Sequence, residues 1–248
     1  MQGQPVIQLK NVAYRADGKD VLRGVDLLVE HGQVVAVLGE SGSGKTTIVR
    51  LVMGLIRATG GSVRLFGREI NGLRERELNE LRKRMGMVFQ GAALFDSMTV
   101  GENAAFALRE HTNLADEEVR RRVRENLSHV GLEGVEDLMP VQLSGGMQKR
   151  VGIARALALN PEIVLYDEPT GGLDPPRAQE IEQLIGDLSR RLGVATLLVS
   201  HDVGAVLRQA DRIAMLHEGR IEECGAPEQI RASNNPIVRR FVAAGVRT

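Results

Sequence analysis

Residues 33–47 read QVVAVLGESGSGKTT. Within the first six, QVVAVL, an unbroken apolar run follows the glutamine, the pattern of a strand buried on both faces of a sheet. GESGSGKT follows, matching G-x-x-x-x-G-K-[ST], and an apolar-periodic segment, TTIVRLVMGLI, comes next. Strand, glycine-rich loop and helix in that order are the context that gives the motif its meaning. The glycines let backbone N–H groups curl around phosphate oxygens, Lys45 reaches the β- and γ-phosphates as a point charge, and the Thr46 hydroxyl is placed to ligate Mg²⁺. The reading is nucleoside triphosphate binding.

Working outward, 6–14 and 25–29 read as strands of an antiparallel start, and a Gly60–Gly61 pair leads to a further strand at 62–66. The polar stretch 68–84 reads as helical, and 85–89 as a short strand. From about 91 to 160 the character is mostly helical. Val119, Val123, Leu127 and Val130 make one apolar stripe there, with arginines on the wet side as a solvated face. Strand character returns at 162–166. A helix over about 176–192 opens at Pro175–Pro176 and is striped by Ile181, Leu184, Ile185, Leu188 and Leu192. Another buried strand spans 194–200, and 212–223 reads as a hairpin around Glu218–Gly219. The expected fold is α/β: a mainly parallel sheet forming a P-loop NTPase core, an N-terminal antiparallel β subdomain and a helical insertion. The chain 1–248 reads as one domain, with 1–90 and 161–248 as nucleotide-binding core and 91–160 as helical subdomain.

Two further strand ends carry chemistry. IVLYDEPT (163–170) ends in adjacent carboxylates. Neighbouring side chains of a strand point to opposite faces, so Asp167 and Glu168 take different roles. Asp167 is assigned to the Mg²⁺ shell, and Glu168 to the base that orients and deprotonates an attacking water. VSHD (199–202) puts His201 within reach of a γ-phosphate oxygen. His31, His111, His129 and His217 read as structural, and no His/Cys spacing fits a zinc site. LSGGMQKR (143–150) opens an Ala-rich helix with glycines and a serine, so it presents free N–H groups and a positive dipole end to an anion. One chain thus carries two phosphate-binding features about a hundred residues apart.

The totals narrow the class. Lys+Arg and Asp+Glu are both 32, so there is no basic excess to recruit nucleic acid. The single cysteine, Cys224, excludes an intramolecular disulfide and favours a reducing compartment. MQGQPVIQLK lacks a signal-peptide layout, and no stretch approaches 18 uninterrupted apolar residues.

Taken together, the motifs resemble the ATPase subunit of an ABC transporter over nearly the whole chain. GESGSGKT resembles Walker A, IVLYDE Walker B, LSGGM the signature, GGLD the D-loop and His201 the switch histidine; Gln90 in VFQ holds the Q-loop position and Tyr14 that of the adenine-stacking aromatic. The resemblance implies that ATP is held by Tyr14, by Gly39, Glu40, Ser41, Gly42, Ser43, Gly44, Lys45, Thr46 and Thr47, and by Gln90 and Asp174. Mg²⁺ would be held by Thr46, Gln90 and Asp167, with Glu168 and His201 catalytic. It also answers why there are two phosphate features. In this family two copies pair head to tail, and Ser144, Gly145 and Gly146 of one contact the γ-phosphate of ATP on the other. The implied partners are a second copy in the ATP-bound state and integral membrane permease subunits. The implied place is the cytoplasm, peripheral on the cytoplasmic face of the inner membrane.

One residue departs from the pattern: the signature ends in Met147 rather than Gln, at the helix edge and not among the phosphate donors. With ALFDSMTV and LREHT inside 89–112, that ending resembles the ATPases of Mla-type lipid-transport systems, whose partner carries an MCE domain. Phe89, Phe95 and Phe106, three of the five phenylalanines, fall where the permease's coupling helix docks in this family. The alternative is the ATPase of an amino-acid or other small-solute importer. A soluble ABC ATPase for DNA repair, chromosome or ribosome work would bring coiled-coil insertions, zinc modules or tandem copies, and this chain has none. A GTPase would bring an NKxD sequence, which is also absent.

Overall fold

The computed structural model describes residues 5–245; the first four residues of the N-terminal stretch read for a leader, and the last three of the tail, lie outside the described residues. Two sheets organise the chain. β1 (Ile7–Ala16) and β2 (Lys19–Val29) form a hairpin, and β1 also pairs antiparallel with β4 (Gly60–Leu65), which continues into β5 (Arg68–Glu69). Both strands of the hairpin run longer than the hydrophobic pattern indicated. Asp17 and Gly18 take positive φ (49° and 76°), the two-residue turn that keeps a twisted hairpin in register.

The second sheet has the order β10-β9-β3-β8-β7-β6. Its strands are β3 (Val34–Leu38), β6 (Met85–Val88), β7 (Ile163–Asp167), β8 (Ala195–Ser200), β9 (Arg212–His217) and β10 (Arg220–Gly225). All neighbours are parallel except the β9–β10 hairpin at the edge. Alternation builds two cores. Val34, Ala36, Leu38, Val164, Tyr166 and Leu198 face one, and Val35, Val37, Ile163, Leu165, Leu197 and Val199 face the other. The second core is closed by the antiparallel sheet and by α1 (Lys45–Val52). The first is closed by α3 (Val100–His111), α4 (Asp116–His129), α5 (Gly145–Ala156), α6 (Pro175–Leu192) and α7 (Val203–Gln209).

On α4 the expected stripe is buried, and its arginines are occupied by i,i+3 and i,i+4 pairing, as in Arg121 with Glu118 and Glu125. Two expectations change, and the tail adds elements of its own. Residues 68–84 are not one helix: Ile70 turns into the core, Asn71–Gly72 bends away, and α2 (Glu75–Arg82) starts later, its Arg74 amide capped by Glu77. On α6, Leu192 is exposed and Leu184 half-buried, while Glu182 and Ser189 are buried. The tail contains two helices, α8 (Pro227–Arg231) and α9 (Pro236–Gly245), which contribute Ile230 and Val238 to the first core.

Candidate active site

Parallel register brings the chemistry to one edge. Leu38 lies opposite Ser200, and Asp167 opposite Val199, so β3, β7 and β8 release their C-terminal ends side by side. Ligands of open α/β sheets bind beyond such ends. Residues 39–44 leave β3 and turn into α1 at Gly44, whose φ of 108° is open only to glycine; a Cβ there would also lie 2.8 Å from the Leu22 side chain. The first-turn amides of α1 therefore face the cleft without intrahelical partners.

Lys45 is buried, and its Nζ donates to the carbonyls of Gly39 (2.8 Å) and Glu40 (3.0 Å). That ammonium also lies 3.5 Å from Glu168 Oε1. The Thr46 hydroxyl donates to Asp167 Oδ1 at 3.1 Å. Burial pushes the Asp167 carboxyl above the usual carboxylate value, against the pull of the Thr46 hydrogen bond. Ser43 Oγ is buried with no hydrogen-bond partner among the described residues.

Glu168 is the first residue past the β7 ladder, and its φ of 49° is left-handed. The alternation expected from a strand does not govern it. The turn instead swings its carboxylate into the cleft, where Oε2 lies 2.7 Å from Nδ1 of His201. The two acids thus have different partners: Asp167 meets Thr46, and Glu168 meets Lys45 and His201.

The cleft holds about 330 Å³ and is lined by Val21, Ser41, Gly42, Gly44, Lys45, Thr46, Thr47, Gln90, Glu168 and His201. A larger hollow of about 970 Å³ lies against α6 and α7, but Lys45, the Thr46 and Thr47 hydroxyls and the Glu168 carboxylate line the smaller one. Gln90 follows β6, and its Nε2 sits 2.9 Å from where a Cβ of Gly171 would be, against the turn that leaves Glu168. Gly39, Glu40, Ser43 and Asp167 do not line this cleft: Asp167 reaches it only through Thr46, and Glu40 is exposed and lines a separate hollow beside α9. Tyr14 is half-buried on β1 opposite Leu22, packed on the second core, and does not line the cleft.

Ser144, Gly145 and Gly146 stand apart from this cleft, at the exposed start of α5, where Ser144 Oγ accepts from the Met147 amide at 3.3 Å. Asp174 caps α6 by accepting from the Arg177 amide at 3.1 Å. Sequence reasoning missed Lys149 and Arg155. Lys149 is buried, its Nζ donates to the Gln90 carbonyl, and burial pulls it below the usual lysine value. No signal in the sequence marked them: α5 also carries Gln148 and Arg150, and nothing in the spacing shows which of its bases turn toward a distant loop.

The chemistry suits a magnesium nucleotide. Thr46 and Asp167 are hard oxygen donors that already meet at the mouth of a loop of free amides, and a small divalent cation takes such donors alongside phosphate oxygens. The family model for the ABC transporter matches residues 22–171.

The chain belongs to the ABC transporter family.

It is an ABC ATPase, with ATP and Mg²⁺ as the family's cofactors. It is 38% identical to the intermembrane phospholipid transport system ATP-binding protein MlaF of Haemophilus influenzae, over 96% of this chain and 90% of that protein. It is 39% identical to the methionine import ATP-binding protein MetN of Rhizobium etli, over 98% of this chain and 67% of that one. Among solved structures, the dimeric post-hydrolysis ATP-binding cassette MJ0796, bound to ADP and Pi, superposes with a TM-score of 0.80 at 35% identity, covering 89% of this chain and 98% of that chain. The fold of this ABC ATPase is therefore that of the cassettes, with the antiparallel sheet, the parallel sheet and the helices in the expected order.

Proposed function

We propose that this ABC ATPase drives a membrane permease that moves phospholipid between membranes, pairing head to tail with a second copy around two Mg-ATP. The observation that carries the two-copy mechanism is the separation of the two phosphate features. The cleft gathers the loop, Glu168 and His201, while Ser144–Gly146 are presented outward on the same chain. A second copy related by a two-fold axis would supply its α5 start to this cleft.

In that arrangement, residues 39–47, Lys45 among them, would bind the phosphates, and Thr46, Asp167 and Gln90 would hold Mg²⁺, which would supply charge neutralisation for phosphoryl transfer. Glu168 takes a proton from the attacking water, and His201, held to Glu168, orients it and contacts the γ-phosphate. Asp174 would face the partner copy, and the adenine would extend beyond the cleft toward Tyr14 on β1. Residues 91–160 act as a helical unit that moves against the core 1–90 and 161–248, with Gln90 at the junction between them.

Permease docking is placed on an apolar groove of about 320 Å³ between β6, α3 and α5. Phe89, Phe95 and Phe106 line it and are 43%, 41% and 36% exposed, large aromatic surface for a residue type otherwise kept inside. Phe95 and Phe106 pack with ring centroids 4.9 Å apart, a floor for an incoming amphipathic helix. No helix among the described residues is long and apolar enough to cross a membrane, so the span comes from that partner. The chain would then sit on the cytoplasmic face of the inner membrane, with an MCE-domain protein in the same complex.

The lipid reading is supported by the MlaF likeness together with the Met147 ending and the 89–112 segment. The MetN likeness, at nearly equal identity, favours a small-solute importer as the second reading. Purification of the tagged chain from native membranes in mild detergent, with mass spectrometry of proteins and lipids, separates them. A permease with an MCE-domain protein and phospholipid supports the first reading, and a permease with a solute-binding protein the second. A soluble partner without any permease ends both. Phe106→Glu should abolish permease co-purification while the chain's own ATP turnover stays within about twofold, as for a surface change remote from the cleft.

A further inference from the structure

We propose that Lys149 and Arg155 are positioning residues for hydrolysis, holding the loop that carries Gln90 to the helix that carries the signature. The proposal rests on the reading of Gln90 as a residue of the nucleotide cleft.

The geometry is a clamp on one short loop from one helix. Lys149, one turn into α5, donates to the carbonyl of Gln90. Arg155, two turns further on, donates through Nη2 to the carbonyl of Ala92 (2.9 Å) and through Nη1 to that of Ala93 (2.6 Å). Between them, Gly152 lets the backbones close up: a Cβ there would lie 3.3 Å from the Ala92 carbonyl oxygen. Ala92 and Ala93 both sit at left-handed φ, 59° and 51°. Non-glycine residues hold that conformation in succession only where surrounding contacts over-determine it. Those contacts are the two basic side chains of α5.

The consequence follows from what each end carries. The start of α5 presents Ser144–Gly146, and the loop presents the Gln90 side chain to the cleft against Gly171. A displacement of α5 carries Gln90 with it, so arrival of the signature at a γ-phosphate and placement of Gln90 become one motion. A binding contribution would weaken ATP affinity when lost; a positioning contribution lowers kcat and leaves affinity alone.

The test uses the full chain and a double-mutant cycle with Gln90→Ala. Lys149→Met and Arg155→Met keep the apolar stems and remove the donors. Each should lower kcat about tenfold, the usual effect of losing a partner that orients a ligand residue. ATP affinity and KM should stay within about twofold, with no further loss of kcat in the Gln90→Ala background. Amide exchange at Ala92, which donates to Phe89 O at 3.1 Å, should quicken in both variants. Wild-type kcat in the variants, unchanged exchange at Ala92, or a loss that persists in full without the Gln90 side chain overturns the clamp. A wild-type rate for Gln90→Ala itself overturns the cleft role of Gln90 and, with it, the proposal. If Lys149→Met does not accumulate folded, Arg155→Lys, which keeps the charge and loses the two-pronged reach, takes its place in the same cycle with the same expected outcomes.

Discussion

Glu168 shows how much turns on one backbone angle. Its left-handed φ costs about 1 kcal/mol or more for a residue with a Cβ, and it delivers the carboxylate to His201 and Lys45 rather than to the sheet face. Glu168→Gln keeps the shape and one acceptor oxygen but cannot take a proton. It should bind ATP normally and turn over about 10²-fold slower or worse, read by steady-state ATPase beside equilibrium nucleotide binding. Thr46→Val removes the hydroxyl that meets Asp167 and should shrink the affinity gained when Mg²⁺ is added to EDTA-treated protein. Titrations with and without Mg²⁺ measure that gain, and an unchanged gain would remove Thr46 from the metal shell. These residues were legible in the sequence because phosphate chemistry allows few alternatives at fixed spacing. Lys149 and Arg155 were not, because a base that caps carbonyls of a distant loop has no spacing signature.

Elements were read well wherever periodicity was strong and poorly where one side chain met an unforeseen neighbour. α4 shows the first case: Val119, Val123, Leu127 and Val130 are all buried as patterned. α6 shows the second. Its buried face includes Glu182, because Arg208 of α7 donates to Glu182 Oε2 at 2.9 Å, and Ser189, whose hydroxyl lies 2.7 Å from that of Thr196 on β8. Burial holds the Glu182 carboxyl above its ordinary value; Arg208 pulls it back, and Asp202 adds to the rise. A carboxyl raised in the folded state favours folding at low pH and opposes it as pH climbs through its folded range. Arg208→Met removes the offsetting charge and strands a buried carboxylate, costing about 1–3 kcal/mol near neutral pH. Urea unfolding should show a smaller gap from wild type at pH 5 than at pH 7.5; a constant gap would mean that Glu182 does not titrate with folding. The tail is also an element-scale finding: α9 lays a Val238, Phe241 and Val242 stripe on the first core and brings Arg240 to 3.8 Å from Glu40.

At the scale of the whole molecule, one chain supplies half of each proposed site. Specific ATPase activity should therefore rise with protein concentration. Ser144→Arg should suppress hydrolysis while leaving monomer ATP affinity within about twofold, since that residue touches no part of its own cleft. Activity independent of concentration, together with a large affinity loss in Ser144→Arg, would end the shared-site reading. By itself the sequence determined the phosphate loop, the acid pair, the histidine, the signature and the α/β order, because glycine-rich loops and buried apolar runs report their own local geometry. Only the tertiary structure decided which strand ends lie together, that Glu168 turns out of its strand, and that α5 grips the Gln90 loop. Those facts depend on the register between strands far apart in the chain and on a left-handed turn, and neither leaves a local pattern to read.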